Sequence, residues 1–240
     1  MALTWPYNVL KDAGEVPRLG RSIIEVRVGK DTKARPFTIH KELITSRSKF
    51  FANALKGSWR ESKDNVVKLP EDDVDTFDLY VNLLYFGSIH IPEAGATAQR
   101  EETLTEKLVR VSHQEYMALS KLYVLCDKLQ DIQGVRLVTH AFVEATQKAK
   151  APGKICFPDL WVVDYVYNNT PHGSPLRSFL MDSYAVFATN DWLRGTRSWI
   201  SKDFLYDVTM SMLSLRSNPA GVDKVKYGSN YYPKTDSRRP

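Results

Sequence analysis

The stretch FTIHKELITSRSKFFANALKGSWRE, residues 37–61, decides the predicted fold of this chain. A short predicted strand over 37–39 leads directly into two short helical patterns. The stretch ends in an aromatic-x-carboxylate step formed by Trp59, Arg60 and Glu61. No nucleophile, general base and orienting acid occur together around it, so the pattern points away from an enzyme.

The first third of the chain holds the predicted strands. A mostly buried strand over 23–28 forms a hairpin with the strand over 37–39. A third apolar strand covers 66–69 and is closed by a proline. Between the second and third strands, we expect helices near 41–46 and 48–56.

Helices dominate the rest of the sequence. One begins after Asp72 or Asp73, since either is a good N-cap, and Gly87 ends it. Ser174 and Pro175 predict another helix start, with Ser at the N-cap and Pro at N1. Apolar residues at helical spacing predict further helices over 116–129, 132–148, 160–166 and 201–213. Strands followed by helices indicate the α+β class.

Residues 92–113 are predicted to be an insertion, because their composition shifts toward Ala, Gly, Gln, Thr and Glu. We expect a flexible loop at its start. Thr103 with Glu106 forms a capping-box pattern, which predicts a short helix containing Leu104, Leu108 and Val111.

The composition is that of a globular protein. The chain has 240 residues, of which 43% are hydrophobic and 25% charged, with a formal net charge of +5. Residues 214–240 are predicted to be a disordered basic tail. We do not expect them to bind nucleic acid, because no folded groove is evident there.

Neither a metal nor a cofactor is predicted. Cys126 and Cys156 stand alone, without Cys-x-x-Cys spacing, and we expect both to be buried thiols in a reducing compartment. The scattered histidines match no metal-binding spacing. With no secretory signal and no run of eighteen apolar residues, we expect a protein that is not in a membrane, located in the cytoplasm, the nucleus or both.

Five residues give the chain a family resemblance. They are His40, Lys41, Ile44, Ser48 and Phe51. The BTB/POZ family has a His-Lys pair, then an aliphatic residue, a Ser and a Phe at offsets of four, eight and eleven from the His. The spacing in this chain is similar to that pattern, and it therefore resembles the helix pair of a BTB/POZ domain.

The flanking sequence is also similar to the family. It comprises Leu55, the strands IIEVRVG (23–29) and VVKLPEDD (66–73), the helix end YFGSI (85–89) and the segment LYVLCDKLQD (122–131). The resemblance covers residues 21–131 and implies a BTB/POZ-type fold, a small sheet flanked by helices. Residues 1–20 would form an N-terminal arm with a short helix. Residues 132–213 resemble the helical extension of small stand-alone fungal BTB proteins.

The resemblance implies a non-enzymatic protein–protein interaction module. Such modules self-associate or act as adaptors, and many dock onto the cullin scaffold of ubiquitin ligases through an aromatic-x-Glu step. Trp59 and Glu61 match that step, so the aromatic ring would anchor in a pocket and the carboxylate would fix the register. The alternative is that Trp59 packs on its own domain and Glu61 is a solvated charge.

The resemblance also implies a dimer, formed with a second copy or with another BTB chain. The family often has an Asp after the Ser that opens the first strand, whereas Ser22 is followed here by Ile23. Lys41 keeps the basic residue that commonly accompanies that Asp. We expect Ile23, His40 and Lys41 at the dimer interface, with His40 hydrogen-bonded in the core or the interface.

Two other functions remain open. One is a purely architectural oligomerisation domain. The other is a transcription- or chromatin-associated regulator without a ubiquitin link. Kelch repeats, zinc fingers and a MATH-type sandwich would leave sequence marks, and none is present. Any substrate selection would therefore fall to the helices after residue 132.

Overall fold

The structure, a computed structural model, describes residues 19–56, 64–92, 103–148, 156–193 and 200–216. The chain divides into two compact units, before and after the bond between Glu71 and Asp72. The predicted short helix of the N-terminal arm and almost all of the predicted basic tail lie outside the described residues.

The first unit contains a three-stranded mixed sheet. The central strand β1 (Ile23–Val28) pairs antiparallel with β2 (Arg35–His40) and parallel with β3 (Val66–Leu69). A 3-10 helix at Asp31–Lys33 makes the turn of the predicted hairpin. Pro36 is tolerated in β2, because an edge strand does not need every N–H for the ladder.

Two short helices follow β2 without a loop. They are α1 (Lys41–Arg47) and α2 (Lys49–Ala54), close to the predicted bounds. Ser48 joins them: its N–H donates to the carbonyl of Ile44 at 2.9 Å, and its Oγ accepts from the N–H of Phe51 at 3.2 Å. One residue therefore ends the first helix and caps the second.

The side chains of β1 alternate between buried and more exposed positions. Ile24, Val26 and Val28 of β1 are buried, as predicted for this strand. Ile23 begins the opposite face and is 55% exposed. The alternation follows from the two-residue period of a strand with one buried face.

The second unit is helical. Its helices are α3 (Val74–Phe86), α4 (Leu104–Lys128), α5 (Ile132–Gln147), α6 (Leu160–Asn169), α7 (Pro175–Phe187) and α8 (Lys202–Arg216). A 3-10 helix covers Asn190–Leu193. With the strands in the first unit and long helices in the second, the predicted α+β class is confirmed.

Aromatic residues link four helices of the second unit. The Tyr116 ring stacks on Phe142 at 5.6 Å, and Phe142 meets Phe179 edge-on at 6.3 Å. Tyr184 meets Phe204 edge-on at 5.1 Å. These contacts join α4 to α5, α5 to α7, and α7 to α8 in one continuous apolar core.

None of the described helices is both long enough and apolar enough to cross a lipid bilayer.

The predicted short helix at the end of 92–113 is longer than expected. The capping box is confirmed, since the Thr103 N–H donates to Glu106 at 2.9 Å and the Glu106 N–H donates to Thr103 Oγ1 at 3.2 Å. The helix then continues unbroken to Lys128. No Gly or Pro interrupts this sequence, so nothing ends the helix where the composition changes.

The start of α7 is as predicted in position but not in its hydrogen bonds. Pro175 occupies N1, but the Ser174 side chain caps no N–H group of the helix. Its Oγ lies 2.9 Å from the hydroxyl of Tyr123 on α4 instead. A tertiary contact has replaced the predicted local cap.

The buried face of α3 differs in part from the predicted one. Phe77, Tyr80 and Leu84 are buried as expected, but Val74 and Val81 are only half-buried. Leu79 and Leu83 are buried in their place. Apolar residues occur on more than one side of this helix, so periodicity alone leaves its rotation undetermined.

Asp73 caps α3 and gives the first testable prediction. Its Oδ1 accepts from the Thr76 N–H at 2.8 Å and from the Thr76 hydroxyl at 2.7 Å. Burial alone would raise the pKa of this carboxyl group, but the two Thr76 bonds and the charge of Lys121 outweigh burial and lower it. Asp73→Ala should reduce the free energy of unfolding by about 1 kcal/mol at neutral pH.

The pH dependence of that loss has a definite sign. A lowered folded-state pKa means that the ionised cap stabilises the fold above the unfolded pKa, about 3.9, and stops doing so as the pH falls through the folded pKa. The difference between wild type and Asp73→Ala in denaturant unfolding should therefore shrink from pH 7 to pH 2. Asp73→Asn, which keeps a capping oxygen, is the control. An equal loss at both pH values would contradict this account.

Candidate interaction surface

One face of the sheet in the first unit bears polar and partly exposed side chains. On β1 this face presents Ile23, Glu25 and Arg27, whose neighbours on β2 include Thr38 and His40. Glu25 and Arg27 form an ion pair with each other. The charged part of the face thus neutralises itself, while its Ile23 end stays apolar.

The strand register brings the three predicted interface residues together. Ile23 lies directly opposite His40 in the β1–β2 ladder. The N–H of Lys41 donates to the carbonyl of Ser22 at 2.9 Å, which extends this pairing by one step. We call Ile23, His40 and Lys41 the Ile23 corner. Their role in binding stays a prediction.

The Ile23 corner combines an apolar side chain with two basic ones. Ile23 is 55% exposed, whereas His40 and Lys41 are half-buried. His40 occupies the N-cap position of α1, but its ring makes no capping bond. Within the described ranges, Lys41 forms no ion pair, which agrees with the missing family Asp. Ile23 thus offers apolar surface at this corner, and Glu25, its neighbour on the same face of β1, is paired with Arg27.

The second predicted contact lies elsewhere. Trp59 and Glu61 fall outside the described residues. Their proposed contact with a cullin therefore stays a prediction.

Asp131 organises the second unit at the junction of α4 and α5. The residue is fully buried and caps α5 by accepting from the Gly134 N–H at 2.8 Å. Its other oxygen accepts from the Tyr80 hydroxyl at 3.3 Å, and its own N–H donates to the carbonyl of Cys126 at 2.9 Å. Sequence reasoning missed this residue, although an Asp immediately before a helical period is a cap signal.

Arg177 is a second buried polar residue that the sequence did not reveal. Its guanidinium donates to the carbonyls of Tyr167 and Thr170 at the end of α6, and its Nε donates to Thr170 Oγ1 at 3.0 Å. The group also lies 4.6 Å from the centre of the Tyr167 ring. A cation at a helix C-terminus satisfies the last carbonyls and the negative end of the dipole.

The segment before α6 is tied to α4 and α7. Asp159 accepts from two N–H groups of α6 with one oxygen, and its other oxygen lies 2.6 Å from Nδ1 of His113. The Tyr116 hydroxyl donates to the carbonyl of Cys156 at 2.7 Å, and the Tyr184 hydroxyl donates to Pro158 at 2.8 Å. The His–carboxylate pair thus has a structural role in holding this segment.

A pocket of about 260 Å³ opens where α4, α5 and the loop before α7 meet. We call it the α4–α7 pocket. It is lined by Tyr123, Cys126, Asp127, Gln130, Asp131, Ile132, Val135, Pro171, His172, Gly173, Ser174 and Pro175.

The α4–α7 pocket contains a thiol and an imidazole, which invites comparison with a Cys–His catalytic pair. Cys126 is fully buried, and His172 makes no hydrogen bond within the described part of the chain. A fully buried thiol behaves as a small hydrophobe. The non-enzymatic function stays a prediction.

The two cysteines differ in burial. Both are free thiols; Cys126 is buried as predicted, whereas Cys156 is only half-buried. Among the residues that the structure describes, no cluster of three or more His, Cys, Asp or Glu side chains is arranged to hold a metal ion.

The last described helix is apolar on two sides. Phe204 and Val208 of α8 are buried. Its exposed apolar side chains are Leu205, Tyr206, Met210, Met212 and Leu213. The helix lies within the predicted extension, and its composition is unusual for a surface helix with one buried stripe.

No family model matches this chain, and no curated protein matches it.

Ile23→Glu should weaken self-association without unfolding the chain. The side chain is mostly exposed, so the substitution removes little buried area, but it places a carboxylate in the Ile23 corner. Light scattering across a concentration series should show a fall in the dimer fraction. Val109→Glu, at a β-branched residue of α4 that is 60% exposed, is the matched control. Equal dimer fractions in wild type and Ile23→Glu would rule out the corner as an interface.

Gly134→Ala should destabilise the second unit. A Cβ there would lie 2.8 Å from the Cys126 Sγ and 3.0 Å from Asp131 Oδ2, which is too close. We expect a cost of about 1–3 kcal/mol from overpacking, which outweighs a gain of about 1 kcal/mol in helix propensity. Adding Cys126→Ala should recover part of the loss, and Gln133→Ala, on the exposed side, should cost nothing. Chemical denaturation of the wild type and the three variants measures these differences in the free energy of unfolding. A Gly134→Ala variant more stable than wild type would disprove the crowding.

Proposed function

We propose that this chain is a BTB/POZ-type interaction module, which associates with itself or with a partner protein and docks onto a cullin scaffold. The proposal rests on the observation that residues which carry the resemblance are buried in the first unit. Ile44, Ser48 and Phe51 are all fully buried, and Leu55 is 6% exposed.

Each position of the motif has a physical reason for its residue type. Ile44 and Phe51 contribute apolar surface from consecutive helices. Ser48 lies between them, where its small side chain is fully buried and its hydroxyl caps α2. If the match were due to chance, we would not expect the matching positions to be occupied by buried apolar side chains and a helix cap.

The order of elements supports the same proposal. A hairpin leads into the helix pair, and the chain then returns as β3 parallel to the first strand. The strands quoted for the resemblance are the strands of this sheet. Since no family model and no curated protein matches the chain, the proposal rests on these residues alone.

Two surfaces would do the binding. The Ile23 corner supplies the dimer contact, in which Ile23 adds apolar area where the family often has an Asp. Trp59 and Glu61 supply the cullin contact, with the ring buried in a pocket of the partner and the carboxylate paired with a cation. Partners are therefore proteins: a second copy, another BTB chain or a cullin.

An architectural oligomerisation domain is the second candidate, and the exposure of Ile23 favours it as well. A regulator associated with chromatin or transcription would use the same self-association. All three functions include the dimer, but only the ligase adaptor includes a cullin contact. Cullin capture therefore separates the adaptor from the other two.

Trp59→Ala with Glu61→Ala should abolish capture of a purified cullin. The double substitution removes both the aromatic anchor and the charged contact, each of which is typically worth more than 1 kcal/mol in an interface. Pull-down with the immobilised full chain measures capture. Circular dichroism should be unchanged, since a local surface change leaves the helices intact.

Trp161→Ala is the matched control, because Trp161 is 61% exposed on α6 in the other unit. It should leave cullin capture unchanged. Capture by the double variant at the wild-type level would exclude the ligase version. A wild-type chain that self-associates but captures no cullin would leave the architectural candidate.

A further inference from the structure

The α4–α7 pocket has walls from three elements that are fixed to one another. The Tyr123 hydroxyl and the Ser174 Oγ lie 2.9 Å apart and join α4 to the start of α7. Asp131 fixes the start of α5, as described above. Gly173 has a positive φ of 81°, a conformation that favours glycine, and the space where its side chain would be is open. The pocket is thus a preformed cavity.

The interior is mainly apolar. Ile132, Val135, Pro171 and Pro175 line it, and Ile132 is 49% exposed. An exposed β-branched residue at the mouth of a preformed pocket offers apolar surface to a ligand.

The rim has a carboxylate without a partner. Asp127 forms no side-chain hydrogen bond or ion pair within the described ranges. The adjacent Lys128 is not available to it, because its Nζ lies 2.7 Å from Asp72. Burial raises the pKa of the Asp127 carboxyl group, although the residue as a whole stays exposed. A nearby cation would relieve that penalty.

The backbone adds to the negative character of the rim. Asp127 belongs to the last turn of α4, which is the negative end of the helix dipole. The positive end of α5 lies beside it, but the Asp131 carboxylate already caps that end. Of the lining residues only His172 can become positive, and it makes no ion pair in the described part of the chain.

We propose that the α4–α7 pocket binds an arginine side chain of a partner protein, with the aliphatic stem on Ile132 and the prolines and the guanidinium on Asp127. At about 260 Å³ the cavity is smaller than the pockets of drug-sized ligands, roughly 300–1,000 Å³, and suits one side chain. Arginine combines an apolar stem with a planar cation that pairs with a carboxylate through two hydrogen bonds. Lysine lacks that second bond.

This site lies in the second unit and is independent of the Ile23 corner and of Trp59. The lining of the pocket comes from both the predicted BTB/POZ region (21–131) and the predicted helical extension (132–213), and the resemblance names no ligand for this place. Failure of the cullin experiment would leave it intact, and its own failure would leave the cullin proposal intact.

The test is an NMR titration of the ¹⁵N-labelled full chain with N-acetyl-arginine N-methylamide. The amides of Asp127, Ile132 and Gly173 should shift together and saturate. Asp127→Asn should weaken binding about tenfold, as expected for loss of a charge-assisted hydrogen bond. Ile132→Ala should weaken it as well, through loss of the apolar wall.

Two controls test whether binding depends on the Asp127 carboxylate in particular and on the charge of the ligand. Asp78→Asn, at an exposed carboxylate of α3 away from the pocket, should bind like wild type. The citrulline analogue, which has the same shape without the charge, should bind at least tenfold more weakly. Equal binding of citrulline, an unaffected Asp127→Asn, or shifts outside the pocket would overturn the proposal. Equal binding of the lysine analogue would overturn the choice of arginine.

Discussion

The first unit depends on the turn at Ser48. A single residue ends α1 with its N–H and caps α2 with its hydroxyl, while being fully buried. Two helices can therefore follow one another without a loop, and Ile44 and Phe51 are both buried. Loss of the hydroxyl would leave a buried N–H unpaired, which is costlier than loss of an exposed cap. The docking account requires this turn, because it fixes the helix pair that begins at His40 and Lys41.

The second unit uses the same device between longer helices. Asp131 accepts the first hydrogen bond of α5, while its own N–H bonds to α4 and its second oxygen bonds to Tyr80. Arg177 does the equivalent work at the end of α6. The buried polar groups of Ser48, Asp131 and Arg177 are thus committed to helix junctions, whereas those of Ser120, Thr139 and Ser183 bond to carbonyls of their own helices. The groups left for contact with other molecules lie on surfaces: the exposed Ile23, the apolar side of α8 and the rim of the α4–α7 pocket.

The sequence was sufficient where a signal is local. The Asp73 cap, the Thr103 capping box, the Pro175 helix start and the β1–β2 hairpin follow from neighbouring residues, and all are present. It was insufficient where the partner is distant in sequence. Ser174 bonds to Tyr123, 51 residues away, instead of capping α7. Arg177 has no neighbouring residue that signals its burial, yet it is buried against carbonyls that only the fold brings near. The α4–α7 pocket, built from three separate segments, has no local signal at all.

The central claim is that a surface of this chain, and not a set of reactive groups, is its working part. Affinity capture of the chain from its native extract, with the captured proteins quantified by mass spectrometry, tests it most directly. The account predicts strong enrichment of a cullin, of another BTB chain or of untagged copies of the chain itself. Enrichment of none of these, under conditions in which the bait stays folded, would contradict it.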